Sequence, residues 1–302
     1  MERTGVDTPI RRASKREFLR LITRKIPPSQ WKRNGSKSER VALQRDVVRL
    51  QSALKAEAMG ILPISFKGVF EEQIIRFKET ALFLGNRYKL RSKNYKASDW
   101  TAEEIATGVG ILMSSSIAAF GNEAALIAMS RPKFQSLIDR AYARTRYLLG
   151  EADGIVNPRL AARNESILRK LKDVQVSSKN MADFKIGKAV DSGALSGSSW
   201  GDAVAAVTAT IAGRVNSGSR LNTLGRTEAF HAVDEGLKEA VKMSGSLTHM
   251  SVVGCKAIAP NIPTYMGTPT CNIEDVPIQD VDMVQFHVNH TGAWLPSRFK
   301  VD

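Results

Sequence analysis

Apolar residues recur at helical spacing along most of the chain. The clearest case is LNTLGRTEAFHAVDEG, residues 221–236, and the turns after it. Phe230, Val233, Leu237 and Val241 form one stripe at spacings of 3, 4 and 4. Arg226 falls on the same stripe, one turn before Phe230, while Glu228 and His231 lie opposite, beside Leu221 and Leu224. Two occupied faces predict a helix packed between neighbours. An arginine on an apolar stripe must snorkel to water or find an acceptor. The plain reading is an amphipathic helix with one snorkelling arginine. The sharper one locks Arg226 inside, so that Arg226→Ala costs a few kcal/mol.

The rest of the chain reads as helices with punctuation. Residues 38–59 form a helix with Val41, Val48 and Leu54 to one side, ended by Gly60 and Pro63. Residues 68–84 form another, with Phe70, Ile74, Phe77 and Ala81 on one face. A basic loop follows; its Tyr88 and Tyr95 read as loop anchors, with stacking on bases as the alternative. Thr101 and Glu104 have capping-box spacing. Residues 105–122 carry no charge, which suits a buried core helix better than a membrane span, given their serines and glycines. Further helices are predicted at 133–149 after Pro132 and at 158–171. Residues 174–201 read as a loop-rich connector, with a domain boundary at 177–190. Ser199 and Asp202 then cap a short helix bearing Trp200, Val204, Val207 and Ile211, with its end at Gly213. After Gly245 the segments shorten, alternate in polarity and are broken by Pro260, Pro263, Pro269 and Pro277. The expected fold is mainly α with a small α+β C-terminal domain. Its expected parts are a basic arm and helix (1–60), a helical domain (61–185) and the α+β domain (186–302).

With 302 residues, 43% of them hydrophobic, the chain can bury a core. No secretory signal opens it. The net charge of +14 is uneven. Residues 1–60 carry +9 and residues 186–302 carry −2. A basic front suggests a polyanionic partner, the alternative being a solvated surface. In residues 1–37 a short helix with Phe18, Leu21 and Ile22 on one face, stopped by Pro27 and Pro28, carries Arg11, Arg12, Lys15, Arg16, Arg20, Arg24 and Lys25 nearby as candidate phosphate contacts. An anionic membrane or a partner groove would suit the same segment.

Two cysteines are too few for a disulfide framework, so a reducing compartment is the default. Cys255, Cys271, His287 and His290 are the candidate zinc ligands; the alternative is two buried thiols and two loop histidines. Cys255 with His249 or His287 would make a nucleophilic pair only if the fold joined them. Glu274, Asp275, Asp280 and Asp282 read as a solvated acidic loop rather than a cation site. No GxSxG, phosphate-binding loop or dinucleotide fingerprint occurs. The expectation is no enzyme and no required cofactor, with structural zinc as the one candidate.

The order of features in residues 190–302 resembles the phage head-morphogenesis family, the minor head proteins similar to the F protein of Mu-like phages. A phrase GALSGSSWGDAVAAV with a small helix is followed by the helix bearing Arg226, Thr227 and Glu228. Short cysteine-bearing strands come next, then Phe286-His287-Val288-Asn289-His290 before Leu295-Pro296. The C-x-x-C pair and the Cys-Arg-Cys phrase of the family are missing. The resemblance implies a virion protein present in few copies, met in the host cytoplasm during assembly. Its partners would be portal or major capsid protein and double-stranded DNA, with homo-oligomerisation open and a membrane disfavoured. Two rivals stand beside it: an internal DNA-ejection protein whose uncharged helix enters a membrane, and a zinc-dependent hydrolase or toxin-like domain.

Overall fold

The structure is a computed structural model that describes residues 37–90, 100–151, 157–193, 195, 199–255, 262–286, 290 and 292–299. The helices are α1 (Lys37–Arg87), α2 (Ala102–Phe120), α3 (Ala124–Leu148), α4 (Arg159–Asp191), α5 (Trp200–Val215) and α6 (Gly218–Met243). Then come β1 (Leu247–Val253), β2 (Thr264–Tyr265), β3 (Thr268–Pro269), β4 (Val276–Pro277), a 3-10 turn (Ile278–Met283) and β5 (Ala293–Phe299). The fold is mainly α with a small α+β C-terminal part, as the patterning predicts. The sheet is antiparallel in the order β4-β1-β5, with Met250 opposite both Val276 and Pro296. β2 and β3 form a separate ribbon.

Local rules place several elements correctly. Thr101 and Glu104 close a reciprocal capping box at α2, and Ser199 accepts from the Asp202 amide at α5. Phe70, Phe77 and Ala81 are fully buried, and Ile74 nearly so.

The punctuation misleads at three places. Gly60 and Pro63 do not end a helix; α1 runs through both. Proline lacks the amide donor and costs about 3 kcal/mol in a helix interior. Leu54, Ala58, Leu62, Phe66, Val69 and Phe70 are all buried across that point, and their packing outweighs the cost. Val41, expected on the packed side, is exposed; Leu43 and Val47 are buried instead. Pro132 lies inside α3 rather than before it. The expected connector at 174–201 is helical as far as Asp191, where α4 ends, so the boundary expected at 177–190 falls inside a helix. Its buried stripe is Leu171, Gln175, Ser178, Ala182, Ile186 and Ala189. Two polar members hide the helical period from a hydrophobicity count. Gln175 reaches the Phe120 carbonyl at 2.8 Å and Ser178 reaches the Val174 carbonyl at 2.8 Å, so both are satisfied inside.

The expected boundaries near 60 and 186 give way to a different division. The chain forms two compact units, each assembled from separated stretches. The first takes the described residues up to Ile61, Lys133–Glu165 and those from Gly225 onward. The second takes Leu62–Pro132 and Ser166–Leu224.

In the second unit the core includes Phe66, Phe70, Phe77, Leu112, Phe120, Leu126 and Trp200. The Trp200 indole donates to the Ala81 carbonyl at 3.1 Å. Gly85 faces that ring so closely that a Cβ there would lie 1.9 Å from Trp200 Nε1.

In the first unit Leu237, Val241, Leu247, Met250, Val252, Val276, Val281, Val284 and Trp294 pack with Leu43, Val47 and Leu149. Gly236 brings α6 onto α3; a Cβ there would lie 2.3 Å from the Ile138 carbonyl oxygen. One face of α1 covers the outer edge of β5. Gln44 Nε2 donates to Pro296 O at 2.6 Å, Gln51 Nε2 to Trp294 O at 2.7 Å, and Lys55 Nζ to Gly292 O at 3.1 Å. Gln51 Oε1 also accepts from the Trp294 amide at 3.0 Å. The Gln51 side chain thus stands in for a strand backbone and removes an exposed edge. Pro277 guards the opposite edge strand, since it has no amide to offer.

Candidate functional site

The chemistry of the first unit gathers where α6, α1 and the end of the sheet meet. Lys55, from α1, places its ammonium 3.0 Å from Asp234 Oδ1 on α6, and both side chains are buried. The same ammonium sits 4.2 Å from the centre of the Phe230 ring. Burial pushes the Lys55 pKa below its ordinary value, and Asp234 only partly opposes this. One turn on, buried Lys238 lies 5.5 Å over Phe286 and 6.0 Å over Trp294.

His290 is buried against these aromatics. Phe286 stacks on it at 4.0 Å, with 15° between the planes, and Phe230 meets it edge-on at 6.3 Å. Its Nδ1 is 3.3 Å from Cys255 Sγ. Cys255 is joined to Cys271 by a disulfide, with the Cα atoms 5.4 Å apart. The expectation of two separate buried thiols is therefore corrected. The cysteines are sixteen positions apart in the chain, and Asn272, beside Cys271, also holds Cys255. The Asn272 side chain accepts from the Cys255 amide at 3.0 Å and donates to its carbonyl at 3.0 Å. Of the four expected zinc ligands, Cys255, Cys271 and His290 come together and His287 lies outside the described residues. While the sulfurs are bonded to each other they are not thiolate ligands.

The Arg226-Thr227-Glu228 motif is corrected at its first residue. Arg226 is exposed; Thr227 and Glu228 are buried. The stripe comes to the surface at its start, since Phe230 is only half-buried. Further along, Val233, Leu237 and Val241 are buried; on the other face Ala229, Ala232 and Glu228 are buried too, with His231 Nδ1 3.3 Å from Glu228 Oε2. An exposed arginine makes Arg226→Ala a surface change, within about 0.5 kcal/mol of neutral. The basic residues Arg11, Arg12, Lys15, Arg16, Arg20, Arg24 and Lys25 lie outside the described residues.

A second charged group was not legible in the sequence. Arg163 of α4 reaches Glu235 at 2.8 Å, Glu239 at 3.1 Å and Asp282 at 2.9 Å. Glu239 is fully buried and also accepts from Asn157 at 2.6 Å. Lys242 pairs with Asp282 as well. The other acidic-loop residues disperse: Asp275 accepts from Arg298 Nε at 3.0 Å, and Asp280 from the Tyr265 hydroxyl at 2.8 Å. These carboxylates do not converge on a cation site.

Desolvation alone would raise the Asp282 pKa, but Lys242 and Arg163 together outweigh it and hold the carboxyl below its usual 3.8. A depressed carboxylate stabilises the fold above its unfolded pKa, and that contribution is lost as pH falls through the lower folded value. Stability measured by urea unfolding should therefore fall as pH drops below about 4. Asp282→Asn should flatten that slope; an unaltered acid limb would show that Asp282 titrates alike folded and unfolded.

Beside this group an open cleft of about 570 Å³ is lined by Lys242, Ser244, Thr248, His249 and Gln279, among others. His249 Nδ1 lies 3.0 Å from Thr248 Oγ1. Comparison with family models, with curated proteins and with solved structures returned no match.

Proposed function

We propose that the chain is a non-catalytic minor head protein of a phage. It docks on portal or major capsid protein and touches packaged double-stranded DNA through its basic N-terminal segment. The observation that carries this reading is the Cys255–Cys271 disulfide, set in the small sheet region that follows the helix bearing Arg226-Thr227-Glu228. Disulfides persist at virion surfaces and in extracellular settings and are rare in the cytosol. A protein built into a particle in the host and then released with it passes from the reducing setting to the oxidising one. Arg226, expected to be locked inside the helix that builds the docking module, is exposed and lends this reading no support. Lys55 pairs with Asp234, and Arg163 with Glu235, Glu239 and Asp282, so these charges are held by partners within the chain.

The test is quantitative mass spectrometry on purified mature particles from a culture encoding the chain. The reading expects a few copies per particle; recovery only in the unassembled soluble fraction rejects it. Deleting residues 1–37 should weaken binding to a random-sequence duplex and flatten its salt dependence. An unchanged salt slope would move the phosphate contacts elsewhere.

One observation favours the ejection reading. By length and composition one 18-residue window within Ala102–Leu148 is apolar enough to cross a membrane. Against it, Ile111, Leu112, Ser115, Ser116, Ala119 and Phe120 are buried in the second unit. Leakage of dye from liposomes on adding the chain would favour ejection, and intact liposomes would remove it.

A further inference from the structure

We propose that the Cys255–Cys271 disulfide and a thiolate metal site are two states of one position, interconverted by a thiol reductant. The ligand atoms of Cys255, Cys271 and His290 all lie within 4.8 Å of one another. Two thiolates and an imidazole form a soft set that suits Zn²⁺ among the common divalent ions. The inference goes beyond the virion reading and stands or falls without it.

Three features keep the ligands in place when the disulfide opens. The His290 ring is held flat against Phe286 at 4.0 Å. Behind it, Gly292 approaches so closely that a Cβ there would lie 2.7 Å from His290 Nε2. The ring is therefore packed between Phe286 and the Gly292 backbone, with its Nδ1 3.3 Å from Cys255 Sγ. The backbone at the two cysteines is tied independently of sulfur. Asn272, next to Cys271, bonds both the amide and the carbonyl of Cys255 at 3.0 Å, and the Val252 amide donates to the Ile273 carbonyl at 2.7 Å. Reduction therefore leaves both thiols beside the histidine. Zinc–sulfur bonds of about 2.3 Å in a tetrahedron set the sulfurs about 3.8 Å apart. Reaching that from a disulfide takes a side-chain rotation of under about 2 Å, with no movement of the strands.

The chemistry balances with a monothiol of the glutathione class as reductant. Two monothiols supply two electrons and two protons. The Cys255–Cys271 bond breaks to two thiols, and the reductant leaves as its own disulfide. The entering metal displaces one proton from each cysteine, and His290 gives the lone pair of neutral Nδ1. Water takes the fourth position.

The experiment uses the full chain and Co²⁺ as a spectroscopic stand-in for Zn²⁺. Oxidised protein should show no thiolate-to-cobalt charge-transfer absorption. After reduction and anaerobic removal of the reductant, one equivalent of Co²⁺ should produce that band, and Zn²⁺ should abolish it. His290→Ala should weaken Co²⁺ binding roughly tenfold or more while still re-forming the disulfide on oxidation. Two titratable thiols without the band would overturn the proposal, as would an unchanged Co²⁺ affinity in His290→Ala. If reduction unfolds the chain, Zn²⁺ present during refolding should restore the far-UV spectrum of the oxidised protein. Failure to restore it counts equally against the proposal.

Discussion

Asp234→Ala is expected to destabilise the first unit by about 3–5 kcal/mol, the usual cost of stranding a buried charge. The loss comes less from the missing attraction than from what stays behind. Lys55 would keep its ammonium 3.1 Å from the Gly292 carbonyl and over the Phe230 ring, with no anion to offset its desolvation. Urea unfolding followed by far-UV circular dichroism measures this directly. The double replacement Lys55→Met with Asp234→Leu should recover most of the loss, because it removes both charges and keeps the volume. A change under about 1 kcal/mol in Asp234→Ala would mean that water reaches Lys55. A signature in pH accompanies it. Folding lowers the Lys55 pKa, so between that lowered value and the ordinary 10.5 the unfolded chain holds a proton that the folded chain has released. Stability should therefore rise with pH in that window, and Lys55→Met should remove the rise.

The second large effect is expected in the other unit. Trp200→Ala should cost about 3–5 kcal/mol, the range for emptying a packed aromatic site. The Ala81 carbonyl would also lose the indole donor that now lies at 3.1 Å. Thermal unfolding measures the loss. Gly85 sharpens the test, because its added Cβ would fall 1.9 Å from the indole nitrogen. Gly85→Ala alone should be strongly destabilising through overpacking. Combined with Trp200→Ala it should cost little more than Trp200→Ala by itself, since the obstacle is gone. Simple additivity of the two changes would show that the ring and the glycine are not in contact.

What the sequence disclosed follows the reach of each physical rule. Capping at Thr101 and Ser199 involves residues three apart, and both caps form as the spacing predicts. The Phe70-to-Ala81 stripe likewise needs only helical periodicity. Rules that stop a helix are also local, and they fail where tertiary packing supplies more than the breaker removes, as at Pro63. The site was legible in part. Cys255, Cys271 and His290 were singled out, but their sulfurs proved to be bonded to each other. Nothing within a few residues of Lys55 signals that its partner is Asp234, or that Arg163 meets Glu239 and Asp282. Arg226 failed for a related reason: periodicity names the face of a helix but not where along its length that face emerges into water.

The interleaved build of the first unit bears on how the gene can be trimmed. A fragment cut at residue 186 keeps Asp234 and Glu239 but leaves Lys55, Arg163 and Asn157 behind. It also uncovers the β5 edge that Gln44 and Gln51 now occupy. Such a truncate should be insoluble when produced alone, whereas the two halves co-expressed from one plasmid should find each other and co-purify.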